Sequence, residues 1–375
     1  MLKILTIFGT RPEIIRLSRI IDKLDKNSVH KTIHTGQNFD YELNKIFFEQ
    51  LKIQKPNFFL EAAGETPSQT IGQVIGKVDN LLAIEKPDAI LVLGDTNSCL
   101  AVIPAKRRKI PIFHIEAGNR CFDQRVPEEI NRKLVDHISD INLVYSDIAR
   151  GNLLNEGLPT NQIIKIGSPM FEVLNYYSSQ INNSDILKKL KLVSDQYFLV
   201  SAHREENIES DYLFKKLENL LNILVEKFNL PIIVSTHPRT RKKINKIGIK
   251  THPLVNFSKP FGFFEFMYLQ MNAKAVLSDS GTITEESSIL NFPALNLRET
   301  HERQEGMEET SVIMVGLEAN RVIEGLNILK NQKKEKNRLL NLVPDYNVPN
   351  VSEKVLRIIY SYTDYVNRIV WKKNS

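Results

Sequence analysis

A group of acidic residues in the first half of the chain has the types and spacing needed for proton transfer. Asp95 follows the apolar run AILVL in GDTNS, and Glu116 lies within FHIEAGNR. Glu128 and Glu129 then open the segment PEEINRKLVDH. A carboxylate at a helix start is often only a stabilising cap. Several carboxylates that converge on one place repel one another, however, and that arrangement is typical of acid–base sites.

The segment GTRPE at 9–13 has the composition of a phosphate-binding turn. Gly9 allows a tight turn and Pro12 suits the first turn of a helix, whose N-terminus favours an anion. Arg11 and Arg16 are then predicted to clamp a diphosphate. The segment is neither a GxGxxG fingerprint nor a Walker loop, so a dinucleotide or an ATP motor is not indicated. The alternative is that Arg11 only caps the helix or pairs with Glu13.

The second half repeats the pattern of polar residues after apolar runs. His203 ends YFLVSAH and His237 ends PIIVSTH, although a histidine at such a position can equally be a satisfied core residue. The segment RETHERQEG supplies three further charged residues, Arg298, Arg303 and Glu305. These residues follow predicted strand ends and are therefore candidate site residues.

The segment DSGTITEE predicts a second phosphate site. Its turn, Ser280-Gly281-Thr282, presents backbone N–H groups at a helix start. Glu286, one turn into that helix, could accept hydrogen bonds from ribose hydroxyls. The aromatic cluster FGFFEF at 261–266 is more typical of a core, although one of its rings could stack on a base.

The elements that must position these residues are predicted to be parallel strands. Apolar runs alternate with helix-period segments, which indicates βαβ units in an α/β fold. Ten such runs are KILTIFG, HKTIHTG, AILVLGD, IPIFHIE, INLVYSD, YFLVSAH, PIIVSTH, AVLSDSG, PALNLRE and VIMVG. We expect two Rossmann-like, doubly wound domains at 1–168 and 169–354 that face a cleft, and a C-terminal helix at 355–375 that packs on the first. Ligands bind at the carboxyl ends of such strands, where the polar residues lie.

Composition narrows the class of protein. The chain has 375 residues, of which 42% are hydrophobic and 25% charged, as in a globular protein of about two domains. No apolar run reaches the ~18 residues of a membrane span, and LKILTIFG predicts a first strand rather than a signal peptide. The two cysteines suit a reduced, cytoplasmic compartment. The net charge of +6 arises from short basic clusters, which favour anionic small substrates over nucleic acid.

The motifs GTRPE, GDTNS, HIEAGNR, PEEINR, AHRE, DSGTITEE and RETHERQEG, in this order, resemble the non-hydrolysing UDP-N-acetylglucosamine 2-epimerase family along essentially the whole chain. The resemblance implies a glycosyltransferase-B type fold that holds UDP mainly in its C-terminal domain, and it makes a homodimer the expected assembly. The catalytic residues that it implies are Asp95, Glu116, Glu128 and His203. The nucleotide contacts that it implies are Arg11, Phe266, Ser280, Gly281, Glu286 and Arg303.

Three departures from the family pattern bear on substrate and regulation. Arg16 replaces a lysine, Thr282 replaces the second glycine of the turn, and Gln37-Asn38 replaces a glutamine-histidine pair beside an allosteric site. The last change argues against regulation by UDP-N-acetylglucosamine. The segments TGQNFDYELN, AGNRCFDQRVPEE and THERQEGMEE resemble the UDP-N-acetyl-L-fucosamine synthase branch, which epimerises UDP-2-acetamido-2,6-dideoxy-L-talose for surface polysaccharide synthesis.

The chemistry implied by this resemblance needs more than one acid. The C2 proton of a 2-acetamido sugar becomes removable once the C1–O bond to UDP breaks, and a second group must return a proton to the opposite face. No metal or redox cofactor is required, because hydrogen leaves and returns as a proton. Domain closure is expected to exclude water. Alternatives are UDP-N-acetylglucosamine as substrate, a glycosyltransferase of the same fold, a hydrolysing epimerase, and a silent nucleotide-sugar sensor.

Overall fold

The computed structural model describes residues 1–36, 41–202, 210–236, 238–248, 250–334 and 336–373. The chain divides into two compact units. The first unit comprises residues 1–175 and 345–375, and the second comprises 176–344. The sequence predicts boundaries after 168 and 354, whereas this division falls after 175 and 344.

The first unit contains a seven-stranded sheet in which every pairing is parallel. The strands are β1 Lys3–Phe8, β2 Val29–His34, β3 Phe58–Phe59, β4 Ala89–Leu93, β5 Ile112–Ala117, β6 Ile141–Val144 and β7 Ile163–Lys165. Their spatial order is β3-β2-β1-β4-β5-β6-β7. All residues of β4 and β5 are buried, as expected for central strands that are covered on both faces.

The helices of the first unit are α1 Arg11–Asn27, α2 Tyr41–Gln50, α3 Pro67–Glu85, α4 Val102–Arg107, α5 Pro127–Ile138, α6 Asp147–Asn155, α7 Met170–Tyr176, which crosses the boundary, and α16 Val351–Ile369. Three long helices of the first unit, α1, α3 and α5, have a proline in their first turn. Helix α1 starts after a Thr10–Glu13 capping box with a proline in its first turn. Helix α16 packs against α1, where Glu353 forms an ion pair of 2.8 Å with Lys23.

The second unit contains a six-stranded parallel sheet in the order β10-β9-β8-β11-β12-β13. Its strands are β8 Phe198–Ser201, β9 Ile232–Ser235, β10 Val255–Ser258, β11 Ala275–Ser278, β12 Ala294–Asn296 and β13 Ile313–Met314. Its helices are α8 Ser178–Asn182, α9 Ile186–Lys189, α10 Asp211–Phe228, α11 Pro238–Ile247, α12 Phe263–Asn272, α13 Ile283–Leu290, α14 Gln304–Glu308 and α15 Ala319–Leu329. Aliphatic residues of α10, β8, β9 and β12 form a large core on one face of this sheet.

The α/β class and the two parallel sheets expected from the sequence are confirmed. Each of the ten predicted apolar runs contains a strand. The strands that the sequence analysis did not predict, β3, β7 and β10, have two to four residues. Within the described ranges, no helix has the length and apolar character to cross a membrane. The same residues include no group of three or more His, Cys, Asp or Glu arranged to hold a metal ion.

Candidate active site

The predicted acidic residues lie at the carboxyl edge of the first sheet, around its topological switch point. Strands β1 and β4 are neighbours, and the chain winds away from them in opposite directions toward β3 and β7. Ligands of open parallel sheets bind at such a point. Gly9 follows β1, Asp95 follows β4 and Glu116 lies in β5. The fold therefore gathers three sequence-distant segments at one edge.

Glu116 is held in an unusual conformation. Its φ is +71°, a left-handed value that costs a non-glycine residue about 1–3 kcal/mol. The pairing register between β5 and β6 shifts at this point, which marks a bulge. The carboxylate is buried, and it accepts hydrogen bonds from Arg16 Nη1 at 2.7 Å and Tyr145 Oη at 3.3 Å. The bulge therefore turns Glu116 toward a fixed cation.

This ion pair bears on the role expected for Arg16. The sequence analysis places Arg16 at a diphosphate, whereas the structure describes it as a buried partner of Glu116. Arg11 lies nearby on α1, is half-buried, and has its guanidinium carbon 5.8 Å from the centre of the Phe47 ring. Contacts of these two arginines with phosphate stay a prediction.

Asp95 lies beside Glu116 and is partly exposed. Its Oδ2 accepts from Arg132 Nε at 2.8 Å, and its backbone carbonyl accepts from Asn131 Nδ2 at 2.9 Å. The preceding residue, Gly94, has a φ of +80°, and a Cβ at Gly94 would lie only 4.0 Å from Glu116 Oε2. The structure thus brings together the two acids at neighbouring strand ends.

The two glutamates that open α5 differ sharply. Glu129 is fully buried and accepts from the backbone N–H groups of Cys121 at 3.2 Å and Phe122 at 3.1 Å, and from Arg132 Nη1 at 2.6 Å. Burial acts to raise the pKa of Glu129, but the Cys121 N–H and Arg132 outweigh it and lower the pKa. Glu128 is only half-buried. Glu129 is therefore a structural cap, and Glu128 is the better placed of the two to meet a ligand.

Glu13 is a buried carboxylate at this edge that the sequence analysis does not place in the site. It accepts from Gly9 N at 2.9 Å, Thr10 N at 2.7 Å and Thr96 Oγ1 at 3.0 Å, and Cys99 Sγ lies at 3.8 Å. Burial raises its pKa to about 7 against the opposing effect of these donors. The capping-box spacing T-x-x-E was the available signal. Glu13 ties the turn after β1 to the turn after β4.

The corresponding edge of the second sheet is built from hydroxyls. Ser280 Oγ lies 3.0 Å from Thr282 Oγ1 and accepts from Thr282 N at 3.3 Å, and Ser280 N donates to Ser278 Oγ at 3.1 Å. Thr282 has a φ of −75°, so the family's glycine is not required by the backbone at this position. Gly281 is half-buried between them.

Charged residues near this turn are buried in pairs. Glu286 Oε2 accepts from Gln270 Nε2 at 2.6 Å, and Arg303 Nη2 lies 3.1 Å from Glu285 Oε2. Phe266 in α12 is half-buried and packs against the core of the unit. Arg298 forms a buried pair with Glu302 at 2.6 Å, and Glu305 is buried in α14.

Some predicted residues cannot be placed. His203, His237 and the pair Gln37-Asn38 lie outside the described residues. Residues that the sequence analysis did not single out, but that contact the predicted acids, include Asn131, Arg132 and Tyr145. Asn131 and Arg132 lie in the PEEINR motif, but nothing in that motif indicates that they contact Asp95, because the contacts join distant segments.

Comparison with known proteins identifies the family. Residues 22–360 match the protein family described as UDP-N-acetylglucosamine 2-epimerase. The structure of UDP-N-acetylglucosamine 2-epimerase from Rickettsia bellii is 52% identical over 100% of both chains, with a TM-score of 0.91. The Methanocaldococcus jannaschii UDP-GlcNAc 2-epimerase, solved with UDP-GlcNAc and UDP, is 34% identical over 96% of this chain and 99% of its own, with a TM-score of 0.89.

A third relative is named for a different UDP-sugar. The Pseudomonas aeruginosa UDP-2,3-diacetamido-2,3-dideoxy-D-glucuronate 2-epimerase is 34% identical over 86% of this chain and 91% of its own length. The family match covers most of the chain, and all three relatives are named as 2-epimerases of UDP-sugars. The chain therefore belongs to the UDP-N-acetylglucosamine 2-epimerase family, and it is an isomerase of the non-hydrolysing UDP-sugar 2-epimerase class.

Proposed function

We propose that this protein inverts C2 of a UDP-2-acetamido sugar by eliminating UDP and adding it back. The observation that carries the proposal is that Asp95 and Glu116 lie at the carboxyl ends of the paired strands β4 and β5, next to the switch point of the first sheet. Paired carboxylates in different environments suit the two opposite proton transfers that an epimerisation requires. Glu116 is buried against Arg16, whereas Asp95 is partly exposed.

The reaction proceeds in two balanced halves. The C1–O bond breaks with its electron pair on UDP, and a carboxylate takes the C2 proton, which leaves a 2-acetamidoglycal. A second acid then returns a proton to the opposite face of C2, and the UDP oxygen re-forms the bond to C1. Negative carboxylates near the ring also stabilise the positive charge that develops at C1.

We assign the proton transfers to Asp95, Glu116 and Glu128. Asp95 and Glu116 are the pair at the strand ends, and Glu128 begins the helix whose Arg132 binds Asp95. His203 is proposed to stabilise the departing diphosphate.

UDP binding is assigned to two groups of residues. In the second unit, the Ser280-Gly281-Thr282 turn precedes α13, whose N-terminus favours phosphate. Glu286 is proposed to bind the ribose hydroxyls. The remaining ligands proposed for UDP are Arg11, Arg16, His237, Phe266 and Arg303.

Two substrates have specific support. The segments TGQNFDYELN, AGNRCFDQRVPEE and THERQEGMEE favour UDP-2-acetamido-2,6-dideoxy-L-talose, with UDP-N-acetyl-L-fucosamine as product for surface polysaccharide synthesis. The name of the 52% identical Rickettsia bellii protein favours UDP-N-acetylglucosamine as the second candidate. We propose the deoxy sugar as the preferred substrate and a homodimer in the cytoplasm as the working form.

One NMR experiment tests both levels of the proposal. The protein is incubated in deuterated water with each UDP-sugar, and the C2 signals of substrate and epimer are followed. We expect deuterium at C2 and both epimers, with faster turnover of the deoxy-talose nucleotide. Faster turnover of UDP-N-acetylglucosamine would overturn the substrate and keep the mechanism. An epimer that retains protium at C2 would overturn the mechanism.

A further inference from the structure

His114 in β5 is a buried histidine whose Nε2 faces a backbone carbonyl. Its Nε2 lies 2.8 Å from the carbonyl oxygen of Gly94, and its side chain is 1% exposed. A carbonyl oxygen can only accept a hydrogen bond, so Nε2 must carry the proton. The imidazole therefore donates to the turn that immediately precedes Asp95.

The other ring nitrogen faces a buried carboxylate. His114 Nδ1 lies 2.9 Å from Asp136 Oδ1, although the oxygen is not aligned for a hydrogen bond. Asp136 also accepts from Arg120 Nη1 at 2.7 Å and from the backbone N–H of Gly118 at 3.2 Å. Asp136 is therefore fixed independently of His114 and lies directly against its ring.

Both backbone groups of Gly94 are bound to β5. Its N–H donates to the carbonyl of Ile115 at 2.9 Å, and its carbonyl accepts from His114. Gly94 has a φ of +80° and no side chain that could restrain its backbone. These two hydrogen bonds therefore fix the direction in which the chain leaves β4. The next residue in that direction is Asp95.

Helix α5 also holds this turn through its side chains. Asn131 binds the backbone carbonyl of Asp95, Arg132 binds its carboxylate, and Asp136, one turn further along, contacts His114. Two residues of this helix thus bind Asp95 directly, and a third contacts the histidine that binds Gly94. His114 is the link that joins Asp136 to this arrangement.

We propose that His114 is a positioning residue for the epimerisation, because its Nε2–H holds the Gly94 carbonyl and thereby places the carboxylate of Asp95. The inference deepens the proposed function and rests on it, since it assigns His114 to the C2 proton transfer. A displacement of a reacting group by about 1 Å can lower a rate 100-fold, so the loss of one such bond should be visible in kcat.

Two substitutions of His114 distinguish its hydrogen bond to Gly94 from the space that its side chain fills. The amide nitrogen of His114→Gln can reach the position of Nε2, whereas that of His114→Asn corresponds to Nδ1 and stops short of Gly94. We expect His114→Asn to lower kcat for C2 exchange about 10- to 100-fold, with KM and UDP affinity unchanged. His114→Gln should restore kcat to within about threefold of wild type. His252→Asn, at an exposed histidine, is the matched control and should leave kcat unchanged.

Thermal unfolding of both variants is measured as well, so that a loss of kcat can be separated from a loss of folded protein. Equal losses of kcat in His114→Asn and His114→Gln would mean that His114 only fills space, and would overturn the proposal. A normal kcat in His114→Asn would overturn it as well.

A spectroscopic measurement on the wild-type protein does not depend on activity. In a long-range ¹H–¹⁵N spectrum of histidine-labelled protein, the His114 signals are those missing from the His114→Gln spectrum. We expect a protonated Nε2 that exchanges slowly with solvent, and an unprotonated Nε2 would overturn the proposal. If wild type exchanges no C2 proton with any UDP-sugar, the proposed function fails while this result still shows whether His114 holds Gly94.

Discussion

The carboxyl edges of the two parallel sheets contain acidic residues in contrasting states. At the edge of the first sheet, Asp95 remains partly exposed, and the buried Glu116 is presented by a backbone with a φ of +71°. At the edge of the second sheet, Glu285 and Glu302 are buried in pairs with Arg303 and Arg298. Arginines pair with the acids in both units, but only the first edge leaves one acid partly exposed and presents another from a left-handed backbone.

The difference extends to the backbone. Thr282, in the turn after β11, has an ordinary φ of −75°, whereas the strain at Glu116 costs about 1–3 kcal/mol. Strained residues are maintained where a side chain must point in a direction that regular structure does not allow. We infer that the first edge is built for proton transfer and the second for holding an anion.

The largest expected effect is on proton transfer after substitution of Asp95. We expect Asp95→Asn to lower the rate of C2 deuterium exchange about 1,000-fold, within the range of lost acid–base groups. Arg132 keeps its partner Glu129 in this variant, so the fold should tolerate the change. UDP affinity, measured by calorimetry, should change less than about threefold.

The matched control for that measurement is Asp185→Asn. Asp185 is exposed in the second unit and pairs there with Lys189. A normal rate is expected for this control. Exchange at the wild-type rate in Asp95→Asn would remove Asp95 from the mechanism. A large loss of UDP affinity in that variant would break the division between the two edges.

The next largest effect is on the stability of the first unit and arises from Glu13, a buried carboxyl group at the first edge. Its pKa is raised from 4.5 to about 7 in the folded state, so between these pH values the folded chain holds a proton that the unfolded chain has lost. The free energy of unfolding must therefore fall as pH rises from 4.5 to 7, by about 3 kcal/mol for this group. Glu13→Gln should abolish this contribution, because the amide oxygen can accept from Gly9 and Thr10 while its NH₂ donates to Thr96.

Urea unfolding at pH 5 and pH 8 measures this difference. The single tryptophan, Trp371, lies in the first unit, so its fluorescence reports the unfolding of that unit. We expect Glu13→Gln to gain stability relative to wild type between pH 5 and pH 8. A constant difference between the two proteins would show that Glu13 does not titrate in this range.

Much of the first edge could be predicted from the sequence because strand ends are local features. Apolar runs followed by Gly, Asp or Glu located β1, β4 and β5, and parallel pairing then required Asp95 and Glu116 to be neighbours. The strands β3 and β7 were not predicted, because two or three residues are too few to show a hydrophobic periodicity.

The partners of the acids could not be predicted in the same way. Arg16 and Glu116 are one hundred residues apart, and no periodicity links them. Glu128 and Glu129 are adjacent and chemically identical, yet Glu129 is buried and accepts from N–H groups of the preceding loop, whereas Glu128 is half-buried. The positive φ of Glu116 also lacks a signal, because only glycine or asparagine commonly marks such a conformation.

The smallest expected effect tests the second edge through Glu286. Its carboxylate is oriented by Gln270 at 2.6 Å, and we propose that it accepts from the ribose. Loss of a hydrogen bond to a charged acceptor should weaken UDP binding in Glu286→Gln about 10-fold, while C2 exchange at saturating substrate stays within about threefold of wild type. Glu324→Gln, at an exposed glutamate of α15, is the control and should bind UDP normally. If Glu286→Gln lowers exchange at saturation as strongly as Asp95→Asn does, the second edge also takes part in proton transfer, and the contrast between the two edges is wrong.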